Sequence, residues 1–404
     1  MRSFCHPLSV PRFEAFRALR YSPSFRLNDV SAPPYDVLSE PDRRLLCDRH
    51  PDNIAHIDIP VGGDAYQVAA DTLQNWIGAG VLVYDDVPSL TLYRMSFVDS
   101  LGKSRSTVGV IGALEVVDEG AGGVLPHERT TTKAKTDRLE LTRATDANLS
   151  PVWGLSLANG LSAQLLAASE PRGSFVDTDG VTHSVERVGD PARIAEISAS
   201  ISAHQVVIAD GHHRYAVSRT FRDEVRQRTH RSDTDAELTL TYVNELVDDQ
   251  LSVAAIHRLY HSISANNLRT ALSSSFDIEE AGVLSDTTLL QMNDRGVLCL
   301  LLADRTIAWL KPKPNAFTGV RELDSALLEH ALATTPHAVG YQHGIDEVCR
   351  ELAAHNATAA ILIRPVSVAE IRRTATEGLL MPPKSTFFTP KLRTGLVMRP
   401  LNTR

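Results

Sequence analysis

Two periodicities of hydrophobic residues run along this chain, and each predicts a different kind of element. Over residues 65–77, apolar side chains recur at helical spacing, which predicts an amphipathic helix. Over residues 89–97 and 106–116, apolar and polar side chains alternate, which predicts strands, and the turn-rich residues 99–103 would join them as an antiparallel hairpin. A similar pattern predicts a second hairpin over residues 174–188.

The remaining pattern mixes helices, strands and turns without an evident internal repeat. Further helices are predicted over residues 39–50, 139–147, 191–203, 215–227, 322–333, 345–355 and 368–377, and further strands over residues 205–209, 297–303, 307–311 and 359–363. A third hairpin would pair residues 238–243 with residues 251–256. Because hairpins are interspersed with helices, the pattern favours an α+β fold with hairpin-rich mixed sheets and packed helices over a doubly wound parallel sheet.

A cluster of Arg, His, Thr and Asp at residues 228–236 predicts a domain boundary. It would separate an N-terminal α+β domain, residues 1–228, from a C-terminal α+β domain, residues 229–404. A chain of 404 residues is long enough for two such domains, each with its own hydrophobic core.

Composition and charge narrow the classes of protein to which the chain could belong. Hydrophobic residues make up 43% of the chain and charged residues 22%, as in ordinary globular proteins. The formal net charge of -8 argues against a broad basic face and so against nucleic acid as a partner. The four cysteines lie far apart, which argues against a disulfide framework or a thiolate zinc site and fits a reducing cytosol. No apolar run has the length of a signal peptide or a membrane span, so the sequence predicts a soluble cytoplasmic protein, with homodimer formation left open.

The most concentrated chemistry lies in the turn Asp210-Gly211-His212-His213-Arg214, between a predicted strand and a predicted helix. Such a junction directs free backbone N–H groups and the positive end of a helix dipole at one point, where Gly211 lets a ligand approach. Arg214 would add a fork of donors for phosphate, His212 and His213 would bind phosphate or move a proton, and Asp210 would hold a metal ion or orient a histidine. In the structural alternative, Asp210 only caps the helix, but the crowding of these residue types in one turn favours a binding site.

A polar stretch from Pro126 to Pro151 holds the second set of candidates. His127, Glu128 and Arg129 place a base, an acid and a cation side by side, and Glu128 or His127 could act in proton transfer. Lys135 and Arg138 follow and would suit an anionic ligand. A solvated charged loop explains the same residues equally well, and their spacing does not decide between the two interpretations.

The two ends of the chain contain proline-rich segments with further candidates. Residues 31–37 hold Asp36 behind two prolines, and composition alone favours a stiff connector there. Near the other end, Lys384, Ser385, Thr386 and Lys391 lie among prolines and aromatic residues, and such a loop could close over a phosphate with its hydroxyls and lysines as donors. They could equally belong to a segment that Phe387 and Phe388 tie to the core.

Taken together, four segments resemble one family, known as domain of unknown function 1015. They are A-P-P-Y-D-V at residues 32–37, H-E-R-T at 127–130 with K-x-D-R-L and A-N-L-S-P downstream, A-D-G-H-H-R-Y at 209–215, and M-P-P-K-S-T-F-F-T-P-K-L at 381–392. The resemblance runs from about Phe13 to Leu396. One departure is Thr131-Thr132-Lys133, which stands where the family pattern usually has proline-glycine.

The D-G-H-H-R turn is also similar to the nucleotide-binding turn of the ParB and sulfiredoxin-like superfamily. That similarity implies a ParB/sulfiredoxin-like core, in which Gly211 to Arg214 would bind the phosphates of ATP or ADP and Asp210 would help to place Mg²⁺. The superfamily includes kinases that act on free serine. The sulfiredoxin cysteine is absent from the turn, which argues against sulfinic-acid repair.

Three functions follow from these observations. The first is a nucleotide-dependent phosphotransferase that acts on a small hydroxyl metabolite such as free serine. Its nucleotide turn would be Asp210 to Arg214, its candidate base Glu128, and its candidate clamps Lys135, Arg138 and Lys384. The alternatives are a nucleotide-gated, ParB-like DNA-binding or regulatory protein, and a metal-dependent hydrolase that uses His127, His212 and His213.

Overall fold

The computed structural model describes residues 10–99, 102–127, 135–382 and 384–402, and for Lys135 its backbone alone. The chain forms two compact units: Met1–Ser252 together with Pro390–Arg404, and Val253–Thr389. The boundary that the sequence predicts, at residue 228, falls inside the first unit. In the described ranges, no helix has both the length and the apolar character that crossing a membrane requires.

Strands of both units are short to medium in length and are numbered here in chain order. They are β1 (Phe13–Glu14), β2 (Leu19–Tyr21), β3 (Leu82–Tyr84), β4 (Leu90–Val98), β5 (Ser104–Glu115), β6 (Val124–Leu125), β7 (Ala147–Asn148), β8 (Val152–Ser156), β9 (Glu170–Val176), β10 (Thr182–Val188), β11 (Val206–Asp210), β12 (Leu238–Glu245), β13 (Ser252–Ala254), β14 (Ile256–His261), β15 (Phe276–Val283), β16 (Leu298–Leu301), β17 (Thr306–Pro312), β18 (Ala338–His343), β19 (Ala359–Leu362), β20 (Phe387–Thr389) and β21 (Arg399–Pro400).

The helices of the described residues are numbered in the same way. They are α1 (Leu27–Val30), α2 (Glu40–Arg49), α3 (Ala55–Asp58), α4 (Ala65–Gly78), α5 (Lys135–Thr145), α6 (Leu161–Leu165), α7 (Pro191–Ser202), α8 (His212–Thr229), α9 (Ala265–Leu272), α10 (Thr288–Arg295), α11 (Asp324–Leu332), α12 (Ile345–Ala353) and α13 (Val368–Thr376).

A mixed nine-stranded sheet forms the frame of the first unit. Its order is β6-β11-β8-β12-β5-β4-β10-β9, and β1 pairs with β5. Strand β8 runs parallel to β12 and antiparallel to β11, whereas β11 runs parallel to the short β6. The mixture of strand directions and packed helices confirms the α+β class. The finer expectation of a ParB/sulfiredoxin-like core stays a prediction.

Two of the three predicted hairpins are confirmed and one is wrong. Strands β4 and β5 pair antiparallel, as do β9 and β10. Strand β12, however, lies between β5 and β8, and β14 belongs to the sheet of the second unit. Seven of the eight residues of β12 are buried, because the strand is central and needs a partner on each edge. The chain therefore leaves the sheet after β12 instead of turning back along it.

The second unit is built on a six-stranded sheet of order β15-β17-β16-β19-β14-β18. Successive residues of β16 alternate between two hydrophobic clusters: Leu298 and Leu300 belong to one, Cys299 and Leu301 to the other. Helices α9 and α11 supply residues to the first cluster, and α10 and α12 supply residues to the second. The continuous apolar run at residues 297–303 is explained by this burial on both faces.

Candidate functional site

The strand–turn–helix junction at Asp210 is formed as the sequence predicts. Strand β11 is buried, and Gly211 follows it with φ +82°, the left-handed conformation that favours glycine. Helix α8 begins at the next residue, so its first N–H groups lie at the turn. A Cβ atom on Gly211 would lie 2.9 Å from Nε of Arg214, so this glycine also leaves room for the arginine.

Asp210 lies between two cations. Its Oδ2 accepts a hydrogen bond of 2.7 Å from Nη2 of Arg214, and its Oδ1 accepts one of 3.0 Å from Nζ of Lys391. Burial by itself would raise the pKa of Asp210, but the charges of Lys391 and Arg214 hold it below the ordinary value. Asp210 is therefore an ionised carboxylate at neutral pH, and both of its oxygens are paired.

Arg214 is largely buried and takes part in the packing of the site. Its Nη1 donates to the backbone oxygen of Pro151, and its Nη2 donates to Asp210. Its Nε is buried and has no hydrogen-bond partner among the described residues. The side chain is 8% exposed, so the fork that could receive a phosphate is turned toward Asp210 and Pro151 in this conformation.

The structure brings His127 and His212 together. Their rings are 5.0 Å apart between centroids, and His127, which is fully buried, forms a hydrogen bond of 2.5 Å from Nδ1 to the backbone oxygen of Ile208. Nε2 of His212 is buried and has no hydrogen-bond partner among the described residues. Burial and the neighbouring His127 lower the pKa of His212 to about 3, so its imidazole is neutral near pH 7. His213 is partly exposed on the first turn of the same helix.

Lys391, one of the lysines that the sequence offers as a phosphate donor, pairs with Asp210 in the structure. It follows β20 and lies 181 positions from Asp210 along the chain, yet the two side chains form an ion pair of 3.0 Å. The sequence offers Lys391 as one of several donors in the segment at residues 381–392, and nothing in that segment links it to Asp210. Because both residues belong to the first unit, this contact lies within one compact body.

Arg138 forms a second buried ion pair beside the turn. Its Nη1 donates to Oδ1 of Asp58 at 3.2 Å and to the backbone oxygen of Asp58 at 2.7 Å. Its Nε donates to Asp137 at 2.8 Å, and its guanidinium lies 4.2 Å from the ring centroid of Tyr35. The predicted phosphate clamp is thus held by two carboxylates and an aromatic ring.

A small cavity lies beside these two arginines. Its volume is about 40 Å³, and its polar lining includes Asp58, Arg138, Asn148, Ser150 and Arg214. This volume suits a few water molecules or one small polar group, and it is far below the several hundred cubic ångströms that drug-sized ligands occupy.

The proline-rich segment before α2 also reaches the site. Residues Tyr35–Val37 form a single 3₁₀ turn, and the side chain of Tyr35 lies under Arg138. Burial by itself would lower the pKa of Arg214, but the charges of Asp210 and Asp36 raise it. Asp36 is therefore close enough to the turn to act on the charge of Arg214, and the stiff connector that the composition favours stays a prediction.

The roles of the other sequence candidates stay predictions. Lys384, Ser385 and Thr386 belong to the second unit. Ser385 is buried there, with its hydroxyl 3.2 Å from that of Ser325. Glu128, Arg129 and the side chain of Lys135 lie outside the described residues. In the part of the chain that the structure describes, no group of three or more His, Cys, Asp or Glu side chains could hold a metal ion.

Comparison with known proteins places the sequence in a family. Residues 13–326 match the family described as Protein of unknown function (DUF1015). A search of curated proteins found no match.

Several solved structures are similar to the chain at low identity. A conserved hypothetical protein from Pyrococcus furiosus is 11% identical, with 66% of this chain and 87% of that chain covered and a TM-score of 0.36. A mutant of a free serine kinase in complex with ADP is 12% identical, with 66% of this chain and 84% of that chain covered and a TM-score of 0.36. SbnI with a C-terminal truncation, from Staphylococcus aureus, is 12% identical, with 70% of this chain and 84% of that chain covered and a TM-score of 0.37. At TM-scores this low, these likenesses carry no argument about the activity of this chain.

Proposed function

The chain belongs to the family described as Protein of unknown function (DUF1015), and within that family we propose that it is a nucleotide-dependent phosphotransferase. It would transfer a phosphoryl group from ATP or ADP to the hydroxyl of a small metabolite such as free serine. The proposal concerns the site at Asp210, Gly211, His212, Arg214 and Lys391, and it is argued from the contacts of these residues.

The observation that carries the proposal is the state of His212. Its Nε2 is buried at the N-terminus of α8, is uncharged near pH 7 and has no partner among the described residues. A buried polar atom without a hydrogen bond is unfavourable, so it is expected to have a partner in the working state. A substrate hydroxyl that donates its proton to Nε2 would supply that partner.

The surrounding groups suit a phosphate better than a neutral ligand. The N-terminus of α8 provides N–H groups and the positive end of the helix dipole. Lys391 is held beside the same turn by its ion pair with Asp210. An incoming phosphate would compete with Asp210 for Lys391. Its negative charge would also raise the pKa of His212 toward the range of a useful base.

In the proposed reaction, the substrate oxygen attacks the terminal phosphorus while the bond from that phosphorus to the nucleotide oxygen breaks. The hydroxyl proton goes to Nε2 of His212, the backbone N–H groups at the start of α8 bind the phosphate oxygens, and Lys391 offsets their charge. Asp210 is the residue that would hold the Mg²⁺ that accompanies the nucleotide, since Mg²⁺ usually binds through one or two carboxylates together with substrate phosphates. Glu128, His213, Arg129, Lys135 and Lys384 remain candidates for the same site.

The test is a turnover assay of the purified full-length chain. The protein would be incubated with Mg²⁺, ATP or ADP, and a panel of hydroxy amino acids that includes serine, with phosphorylated product measured by mass spectrometry. We expect phosphoserine or a related phosphate ester, and we expect His212→Gln to lower kcat by roughly 100-fold or more through loss of proton transfer.

The matched control is His204→Gln, because His204 is an exposed histidine at the end of α7. It should leave turnover unchanged. Absence of product over the whole panel, or equal turnover by His212→Gln and the unchanged chain, would contradict the proposal.

A further inference from the structure

We propose that a second cavity of the first unit binds a small oxyanion, the carboxylate or phosphate group of a metabolite, between Arg20 and Arg172. The cavity has a volume of about 90 Å³ and lies where β2 and β3 approach the start of β9. It shares no lining residue with the cavity beside Arg214, so it is separate from the site proposed above.

Arg20 supplies the first donor. The residue is 5% exposed and lines the cavity. Its Nε donates to both oxygens of Asp85 at 3.1 Å, and its Nη2 donates to Thr91 at 2.7 Å and to Ser89 at 3.2 Å. Its third nitrogen, Nη1, is buried and has no partner among the described residues. A residue that lines the cavity therefore keeps one buried nitrogen without an acceptor, which is unfavourable unless a ligand or water accepts from it.

Arg172 supplies the second donor. It lines the same cavity, and its Nε is buried without a hydrogen-bond partner among the described residues. Its Nη2 forms an ion pair of 3.0 Å with Glu170, a carboxylate that is half exposed to solvent. Two guanidinium groups on one cavity, each with an unused buried N–H, match the oxygens of a carboxylate or phosphate.

The local charge also favours an anion. Arg187 is not among the lining residues, but it forms ion pairs with Asp85 at 3.4 Å and with Glu170 at 3.0 Å. Three arginines therefore share two carboxylates. Burial lowers the pKa of Arg20, and the positive charges of Arg172 and Arg187 lower it further while Asp85 raises it. An anion in the cavity would relieve the repulsion among the three cations.

The remaining walls indicate what could carry the anionic group. Apart from Ser22 and the carboxylate of Asp85, which is already paired with Arg20 and Arg187, they are apolar or aromatic and include Tyr21, Phe25, Leu27, Val83 and Leu396. A cavity of about 90 Å³ holds an oxyanion and only a few further atoms. The ligand class is accordingly a small organic acid or phosphate ester whose substituent near the charged group is apolar.

The experiment measures the thermal unfolding midpoint of the full-length chain in sodium phosphate, in sodium acetate and in sodium chloride at equal ionic strength. We expect phosphate or acetate to raise the midpoint by roughly 2 °C or more relative to chloride. Arg172→Gln should lose at least half of that increase. Arg20→Lys keeps the positive charge but lacks the paired N–H donors of a guanidinium. This variant should lose a similar part of the increase in the midpoint. A rise in phosphate alone would identify a phosphate ester as the ligand class, and a rise in acetate alone would identify a carboxylic acid.

The matched control is Arg231→Gln, because Arg231 is an exposed arginine that is paired with one carboxylate, Asp233, and does not line the cavity. This variant should keep the full increase. The proposal is overturned if neither anion raises the midpoint of the unchanged chain. It is also overturned if Arg172→Gln keeps as much of the increase as Arg231→Gln does. That result would indicate that the unpaired N–H groups of Arg20 and Arg172 contact water only.

Discussion

At the turn after β11, the arrangement of single side chains decides which groups are charged. Asp210 is held ionised between Lys391 and Arg214, whereas His212, two residues later, is held neutral by burial and by His127. An ionised carboxylate and a neutral imidazole side by side are the protonation states that a metal-binding acid and a proton acceptor require. The guanidinium of Arg214 donates to Asp210 and Pro151 in this conformation, and its expected role in phosphate binding stays a prediction.

The lowered pKa of His212 predicts how stability changes with pH. In the unfolded chain this histidine titrates at its ordinary value of 6.5, and in the folded chain at about 3. The unfolded state therefore binds an extra proton between these values, so the contribution is full above pH 6.5 and is lost progressively as the pH falls toward 3. The measurement is the free energy of unfolding by denaturant at several pH values in this window.

Buried His183 and His257 also have lowered pKa values, so the comparison of variants isolates His212. His212→Gln should reduce the slope of stability against pH by up to about 1.4 kcal/mol per pH unit, the value for one proton. His204→Gln should leave the slope unchanged. An unchanged slope in His212→Gln would show that this imidazole titrates normally in the folded chain.

Among the elements, the junction of β11 with α8 depends on Gly211 in two ways. The residue has a positive φ, which lets the chain pass directly from strand to helix, and it leaves space for Arg214. The preceding strand is fixed by pairing with β8, so the first turn of α8 is presented from a rigid element. This is why the turn could be located from local sequence alone.

Gly211→Ala should destabilise the protein more than Gly160→Ala does. Both glycines have φ +82°, so both substitutions carry the backbone penalty of the left-handed region, roughly 1 to 2 kcal/mol. At Gly160 the new Cβ would meet nothing within 4 Å, whereas at Gly211 it would lie 2.9 Å from Arg214 and displace its guanidinium.

The difference between the two variants should be about 1 kcal/mol or more, because hydrogen bonds of Arg214 to Asp210 and Pro151 would be strained. Denaturant unfolding of both variants under one set of conditions measures it. Equal losses of stability would mean that the side chain of Arg214 moves away from the new Cβ atom without lowering the free energy of unfolding.

At the scale of the whole molecule, the chain leaves its first unit after Ser252 and returns to it at Pro390. The returning segment brings Lys391 to Asp210, and its backbone pairs with the first unit at Ala32, Leu19 and β7. Residues from both ends of the sequence therefore complete the first unit. The second unit has a sheet with a hydrophobic cluster on each face, which is the arrangement of a self-sufficient domain.

This organisation predicts that a fragment of residues 253–389 folds alone. Circular dichroism and thermal unfolding should show mixed strand and helix content and a cooperative transition. The control fragment is residues 229–404, the C-terminal domain that the sequence predicts. It carries β12 without its partners β5 and β8, so we expect exposed apolar surface and aggregation. A stable, soluble 229–404 fragment together with an unfolded 253–389 fragment would favour the boundary near residue 228 instead.

The sequence by itself determined the features that depend on neighbouring residues. Alternation and turn residues predicted the β4–β5 and β9–β10 hairpins, and the apolar strand followed by Asp-Gly predicted the junction at Gly211. These features follow from backbone preferences and from the period with which side chains face the core, both of which act over a few residues.

Only the tertiary structure decided which distant residues meet. Strand β12 was assigned to a hairpin because its local pattern fits one, yet it lies in the centre of the first sheet. The pairs Asp210–Lys391, Arg138–Asp58 and His127–His212 join segments that are 181, 80 and 85 positions apart. Their contact follows from the order in which strands pair and from where the chain crosses between units, and no local period carries that information.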